Sequence, residues 1–211
     1  NQEGEIGRIA CGVYACFLHP LYASSEKEAD MKSFYDLIHE RRSVRSYNDK
    51  PVPAELVTRA IEAARLAPSA HNSQPWKFIV VDNSEIKNRI AEACTSPRMP
   101  INKFVPKAPV IVAVVSERRG LLMRLASILK RRKFHLIDLG IAAEHFCLQA
   151  HDDGLGTCMI GWFSERKVKK LLKVPFGRRV HLLISLGYTD DTKVRTKRRK
   201  PADEVLSYNR Y

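Results

Sequence analysis

The chain of 211 residues is long enough to form one domain with a substantial core. Its 36 Lys and Arg residues outnumber its 23 Asp and Glu residues, and the resulting formal net charge of +13 raises the question of a nucleic-acid or membrane partner. The basic residues are spread over several segments without the interleaved aromatic side chains that stack on bases. We therefore interpret them as a solvated surface and expect neither nucleic-acid nor membrane binding.

The chain has five cysteines, Cys11, Cys16, Cys94, Cys147 and Cys158, with no Cys-x-x-Cys pair among them. No histidines stand at zinc-finger spacing, so the sequence predicts neither a metal site nor a disulfide framework. This usage favours a reducing, cytoplasmic compartment, and we expect Cys158 to act as a small buried apolar residue.

Residues 1–30 differ in character from the remainder. Within them, Ile9–Leu18 is apolar but too short to cross a bilayer, and the residues before it are too acidic for the positive region of a signal peptide. Because Met31 opens a sequence typical of a domain start, we predict an N-terminal extension over 1–30 that is dispensable for cofactor binding. A single domain should follow over 31–211.

In the first half of this domain, periodicity predicts two helices, a strand and a third helix. The first helix should start after Ser33, reach about Glu40 and turn Phe34, Leu37 and Ile38 inward. The second helix should lie between Pro53 and Pro68. The continuous apolar run Phe78–Val81 predicts a strand buried on both faces, and Asn83 or Ser84 should cap a helix that ends near Cys94.

In the second half, an irregular stretch over Thr95–Pro109 precedes a predicted strand, Val110–Val115. Leu121–Lys133 has helical spacing and suggests a helix or lid. The longest helical pattern, Phe134–Ala150, is apolar nearly all round, which indicates burial against a partner; its ionisable Asp138 and Glu144 are expected on a polar edge. A basic helix to Leu172 and a strand over Val180–Leu186 complete the predicted elements.

Two basic clusters stand at opposite ends of the domain. Three guanidinium groups and two hydroxyls occur in Arg41-Arg42-Ser43-Val44-Arg45-Ser46, and a second group occurs in Lys197-Arg198-Arg199-Lys200. Because arginine forks match phosphate oxygens, two such clusters that meet in space could hold one phosphate monoester. Between them lies Pro68-Ser69-Ala70-His71-Asn72-Ser73-Gln74-Pro75-Trp76, a polar loop suited to a flat ring or, equally, a turn beside a buried Trp.

Four motifs in this order resemble those of the nitroreductase family of FMN-dependent oxidoreductases. They are Arg41-Arg42-Ser43-x-Arg45, Pro68-Ser69-x-x-Asn72-Ser73-Gln74-Pro75-Trp76, Gly154-Leu155-Gly156-Thr157-Cys158-Met159-Ile160-Gly161 and Lys197-x-Arg199-x-Pro201. The resemblance covers about 31–211. It implies an α+β, three-layer fold with a central, mostly antiparallel sheet flanked by helices, and an intertwined homodimer in which a C-terminal arm wraps the partner.

The resemblance also implies how FMN would be held at the subunit interface. Its phosphate and ribityl end would contact Arg41, Ser43, Arg45, Lys197 and Arg199, with Arg42 near the phosphate or facing solvent. From the other subunit, the ring would be lined by Pro68, Ser69, Ala70 and Asn72, with Gln74 and Trp76 supporting the loop. Ile160 and Gly161 would bring a backbone N–H near the flavin N5, and Asn102 is either a further cofactor contact or a loop-stabilising residue.

The implied activity is hydride transfer from NADH or NADPH, through the flavin N5, to nitroaromatic, quinone or similar small-molecule acceptors by a ping-pong mechanism. The absence of a catalytic triad, paired carboxylates or a metal cluster from the sequence agrees with chemistry carried by a cofactor. Met159, Ile160 and Trp162 stand where some relatives carry a carboxylate, so the donor and acceptor stay open. The alternatives are another use of reduced FMN, such as reductive dehalogenation or flavin breakdown, and a basic nucleic-acid-binding protein.

Overall fold

The computed structural model describes residues 33–95, 101–117, 133–191, 193 and 195–211, and its compact unit runs from Phe34 to Tyr211. Two expectations, the extension over 1–30 and the helix or lid over 121–132, lie outside the described residues. In the described part of the irregular stretch, only a short 3-10 turn over Val105–Lys107 interrupts the loop.

Five α-helices and four strands form the described part of the chain. In order they are α1 (Phe34–Glu40), α2 (Ala54–Arg65), β1 (Trp76–Val81), α3 (Ser84–Ala93), β2 (Val110–Ser116), α4 (Phe134–Asp152), β3 (Gly156–Ile160), α5 (Glu165–Leu171) and β4 (Arg179–Gly187). Short 3-10 turns at Ala70–Asn72 and Ala202–Glu204 add to these elements. Asn83 caps α3 as predicted, because its Oδ1 accepts the N–H of Ile86 at 3.0 Å.

The sheet has the strand order β1-β2-β4-β3, and every neighbouring pair is antiparallel. Alternation along β2 sends Val110, Val112 and Val114 to a core shared with α2 and α4. The intervening Ile111, Ala113 and Val115 join a second core with α3 and α5. Helices therefore cover both faces of the sheet, and the α+β, three-layer expectation is confirmed.

The structure corrects two expectations about the strands. β1 is not buried on both faces: among the described strands it lies at the sheet edge beside β2, and it leaves Lys77 and Val80 exposed. β3 was not predicted at all, since its glycine-flanked sequence gives no clear alternation. The central β2, with six consecutive buried residues, is the strand that matches a continuous apolar run.

Two expectations about helices are also wrong. α1 has no buried residue, and Phe34 is 69% exposed, because this short helix packs mainly along α4 among the described elements. Asp138 does not lie on a polar edge of α4: it is 4% exposed, beside Leu139 and Ala142 of the core. None of the described helices combines the length and the hydrophobicity needed to cross a membrane.

Candidate functional site

The segment Arg41–Arg45 forms an extra, parallel contact on the outer edge of β3. Ser43 bridges to Thr157, and the N–H of Val44 donates to the carbonyl oxygen of Thr157 at 2.8 Å. Extended backbone alternates its side chains, so Val44 turns inward and is buried while Ser43 and Arg45 stay exposed. The sequence thus places Arg41, Ser43 and Arg45 on the same side of the segment.

Gly156 makes this close approach of the segment to β3 sterically feasible. A Cβ atom at position 156 would lie 2.8 Å from the Cβ, Cγ1 and Cγ2 atoms of Val44. Carbon atoms do not pack at that distance without displacement. The glycine is therefore required by the contact that aligns the arginine segment with the sheet.

The C-terminal basic cluster meets this segment. The Nζ of Lys197 donates to the carbonyl oxygen of Ile38, at the end of α1. Partial burial lowers the pKa of Lys197, and the positive charges of Arg41 and Arg199 lower it further, while Glu144 raises it. Lys197 and Arg199 line a cavity of about 270 Å³ together with Tyr35, Ile38, His39 and Thr196, and the nearby Arg41 adds a third positive charge that repels the other two.

One carboxylate partly balances these charges. Glu144 on α4 lies 3.0 Å from the Nε of Arg41 and is 42% exposed. Lys197 and Arg199, in contrast, have no acidic partner at ion-pair distance among the described residues. The site therefore has a surplus of positive charge and of unused donors, which suits a dianionic group.

Cys158 lies beneath the arginine segment and is 3% exposed, as the sequence predicted. Burial raises the pKa of its thiol, and the nearby Arg45, Ser43 and Arg41 partly offset this rise. Arg41, Ser43 and Arg45 thus all act on one position of β3.

Arg42 has a different environment from its neighbours. Its guanidinium lies 3.2 Å from the Asp191 carboxylate and also donates to the Asp191 carbonyl oxygen. Asp191 in turn binds Arg195 at 2.6 Å. Arg42 therefore connects the segment to the chain that follows β4, and its guanidinium is already engaged by a carboxylate.

The loop from Pro68 to Trp76 is held in an unusual conformation by its own side chains. His71, Asn72 and Gln74 have φ of 53°, 51° and 42°, in the left-handed region. The N–H of Gln74 donates to Ser69 Oγ at 2.9 Å, and Gln74 Nε2 donates to Asn72 Oδ1 at 3.0 Å. Gln74 thus supports the loop, as the sequence indicated, and Asn72 remains exposed at its tip.

The loop is joined to α4 through a residue that sequence reasoning missed. The N–H of Ala70 donates to Asp138 Oδ1 at 3.2 Å. Asp138 and Glu144 are six positions apart, which separates them by about 9 Å along the helix axis and about 120° around it. One face of α4 thus contacts the loop, and another contacts the arginine cluster.

Asn102 also acts on a loop. With φ of 61°, it donates through Nδ2 to the carbonyl oxygens of Cys94, at 3.1 Å, and Trp162, at 3.0 Å. It thereby fixes the turn that follows β3, where the buried Ile160 is succeeded by the exposed Gly161. Among the two roles expected for Asn102, these contacts favour the loop-stabilising one.

The sequence and the fold of this chain are similar to those of known proteins. The model of the nitroreductase family matches residues 38–188, which hold the whole sheet and most of the described helices. The chain belongs to the nitroreductase family. The family assignment makes it an oxidoreductase of a flavin-dependent class.

Individual nitroreductase relatives agree with this assignment. An FMN-dependent nitroreductase from Clostridium difficile superposes with a TM-score of 0.68 at 27% identity, over 83% of this chain and 98% of that one. The NADPH:FMN oxidoreductase of Vibrio harveyi, solved with NAD⁺, gives a TM-score of 0.70 at 26% identity, over 84% and 77%. Iodotyrosine deiodinase 1 of Sus scrofa is 26% identical in an alignment that covers 90% of this chain and 73% of that protein.

Proposed function

We propose that this protein is a homodimeric oxidoreductase that binds FMN at its subunit interface. It takes hydride from NADH or NADPH and reduces a nitroaromatic, a quinone or a similar small acceptor by ping-pong turnover. The observation that carries the proposal is that Lys197 and Arg199 line a cavity close to Arg41, whose segment holds Ser43 and Arg45 on the same side.

The donor set fits the phosphate of FMN. Guanidinium forks bind phosphate oxygens in pairs, an ammonium group adds a compact charge, and the Ser43 hydroxyl adds a neutral donor. Burial is the main cause of the depressed pKa of Lys197, and the repulsion from Arg41 and Arg199 that adds to it is what a dianion would relieve. Arg41 would exchange part of its contact with Glu144 for phosphate, while Arg42 stays bound to Asp191.

The flavin ring would be lined by residues from both subunits. Pro68, Ser69, Ala70 and Asn72 lie on a loop at one face of α4, whereas the arginine cluster lies at another face. Two copies of the chain would combine the loop of one with the cluster of the other. The turn at Ile160 and Gly161 would then carry the backbone N–H nearest the ring.

Exposed apolar side chains support the homodimer. Large side chains of α1, α4 and the C-terminal arm are exposed in the single chain: Phe34, Tyr35, Leu136, Ile137, Val205, Leu206 and Tyr208. Exposed apolar side chains gathered on a few elements are typical of interaction sites. They also account for the apolar pattern around α4. One side of this helix packs in the core, and the other side would contact the partner subunit.

When bound, FMN supplies the redox chemistry, accepting a hydride from the nicotinamide and returning two electrons to the second substrate. The protein's residues hold the phosphate, orient the ring through the loop and keep positive charge near a cofactor that becomes anionic on reduction. The part of the chain that the structure describes has no cluster of three potential metal ligands.

The phosphate assignment is tested by comparing FMN with riboflavin, which lacks the phosphate. The wild-type protein should bind FMN more tightly, and Arg41→Ala with Arg199→Ala should reduce that preference about a hundredfold or more, since each of the two charge-assisted contacts contributes about 1.5–3 kcal/mol. Titration by flavin fluorescence measures both constants.

A matched control is Arg166→Ala with Lys169→Ala, which removes two cations from the separate surface formed by α5. It should leave the preference for FMN unchanged. An unaltered FMN preference in the Arg41 and Arg199 double variant would show that the phosphate binds elsewhere.

A second candidate function is reductive dehalogenation, favoured by the deiodinase relative that aligns with 90% of this chain. In that reaction two electrons and a proton replace the halogen of an aromatic ring, and halide leaves. Turnover with menadione or a nitrofuran, measured beside iodide release from iodotyrosine, separates the two acceptor classes.

A further inference from the structure

Asp138 is a buried carboxylate whose hydrogen bonding is only half satisfied within the described residues. It is 4% exposed, on the core side of α4 with Leu139 and Ala142. Its Oδ1 accepts the N–H of Ala70 at 3.2 Å, and its buried Oδ2 has no hydrogen-bond partner among the residues the structure describes. Such a group costs stability, because a buried carboxylate without full compensation loses its hydration.

The loop that Asp138 contacts is strained. His71, Asn72 and Gln74 all adopt left-handed φ values, which are unfavourable for non-glycine residues and persist only where the surroundings enforce them. The hydrogen bonds of Ser69, Asn72 and Gln74 close the loop upon itself. They set its internal shape and not its orientation on the protein.

The bond from Ala70 to Asp138 ties the middle of this loop to the longest helix. Ala70 is half-buried, and the exposed His71 and Asn72 follow it directly. A shift of the Ala70 backbone would therefore move the residues at the tip together. Asp138 controls where the loop presents its polar groups.

We propose that Asp138 is a positioning residue for flavin binding, holding the Ala70 backbone so that Ser69, Ala70 and Asn72 meet the ring. This inference rests on the proposed function for the identity of the ligand. The Asp138 carboxylate would orient the loop, would lower the stability of the fold, and would take no part in proton transfer.

Three variants separate positioning from general stability. Asp138→Asn keeps an oxygen that accepts the Ala70 N–H, whereas Asp138→Leu removes it. Asp153→Asn alters another buried carboxylate just beyond the opposite end of α4, where it pairs with Arg59 at 3.0 Å. Each full-length variant is purified without flavin and titrated with FMN, and its melting temperature and visible spectrum are recorded.

We expect Asp138→Leu to weaken FMN binding about five- to tenfold and to shift the bound spectrum towards that of free FMN. A net hydrogen bond contributes about 1 kcal/mol, which corresponds to this range. The flavin-free variant should melt no lower than the wild type, because an incompletely satisfied buried charge is gone. Asp138→Asn and Asp153→Asn should stay within about twofold of wild-type affinity.

Hydrogen exchange at the Ala70 amide gives a readout that does not require flavin. Its protection should fall in Asp138→Leu and persist in Asp138→Asn. Unchanged exchange, or equal losses of FMN affinity in all three variants, would overturn the inference. A wild-type protein that binds no FMN would instead refute the proposed function, while the exchange result would still decide whether Asp138 holds the loop.

Discussion

The pKa of Lys197 reflects the positive charge of the candidate site. Its ammonium group lies beside Arg41 and Arg199, and its pKa falls below the ordinary value of 10.5 through burial first and through these charges second. A bound phosphate would reverse the effect of the charges. Protonation of Lys197 and phosphate binding should therefore favour each other.

From this linkage we expect FMN affinity to fall as pH rises through the depressed pKa of Lys197 in the flavin-free protein. Below that pKa the lysine is already protonated, and above it binding must take up a proton. Above neutral pH the phosphate is already a dianion, so its own titration does not contribute to this dependence. Titrations across the alkaline range measure the slope.

Lys197→Arg is the control, because a guanidinium stays charged throughout this range. The arginine variant should bind FMN with little dependence on alkaline pH. A slope that persists in it would assign the titration to another group.

At the residue scale, the sequence predicted those positions whose chemistry is visible in a motif. Arg41, Ser43 and Lys197 could be selected because charge and spacing point to phosphate. The partner of Arg42 could not be predicted, because Asp191 lies far along the chain. The role of Asp138 could not be predicted either, because an isolated carboxylate in a helix usually faces solvent. Only the fold brings Ala70 to it.

Among the elements, β3 matters most for the site, because it aligns the arginine segment. The strand is short and begins with Gly156, a residue that weakens strand patterns, so the sequence did not predict a strand here. Once β4 is known, the pairing of Gly156 with Gly187 and of Ile160 with Leu183 explains the strand. Long-range pairing of this kind does not appear in local periodicity.

Gly156→Ala should displace this part of the site. The added Cβ would meet Val44 at 2.8 Å, and overpacking of a core typically costs about 1–3 kcal/mol. We expect a lower melting temperature together with about tenfold weaker FMN binding or more, measured by thermal unfolding and fluorescence titration.

Val44→Ala removes two of the three atoms in contact and so provides a compensating change. The double variant should bind FMN better than Gly156→Ala alone, which a double-mutant cycle quantifies. Purely additive losses would mean that the steric contact with Val44 does not transmit the effect.

For the whole molecule, alternation and helical periodicity predicted the layers well. Val110–Val115 became the central strand, and Phe134–Ala150 became the core helix α4. The inward orientation predicted for α1 was wrong because periodicity identifies an apolar face without showing which molecule covers it. Phe34 and Ile137 are exposed in one chain, and the proposed dimer would bury them.

Ile137→Glu tests this proposal, since Ile137 is 60% exposed on a helix whose other side packs in the core. A buried, unpaired charge at a subunit interface is strongly unfavourable, so the variant should become monomeric and lose FMN binding. Phe176→Glu is the control at a residue that is 94% exposed, outside α1, α4 and the arm. Size-exclusion chromatography with light scattering should show that the Phe176→Glu control is dimeric. An Ile137→Glu protein that is also dimeric and binds FMN with normal affinity would exclude this surface as the interface.

The central claim, that this chain uses FMN to oxidise a reduced nicotinamide, is tested most directly by an absorbance spectrum. The purified protein, supplied with FMN, is recorded before and after anaerobic addition of NADH or NADPH. We predict flavin bands that bleach with at least one nucleotide and return when menadione or another acceptor is added. A protein that takes up no FMN, or whose bound FMN neither nucleotide reduces, would contradict the account.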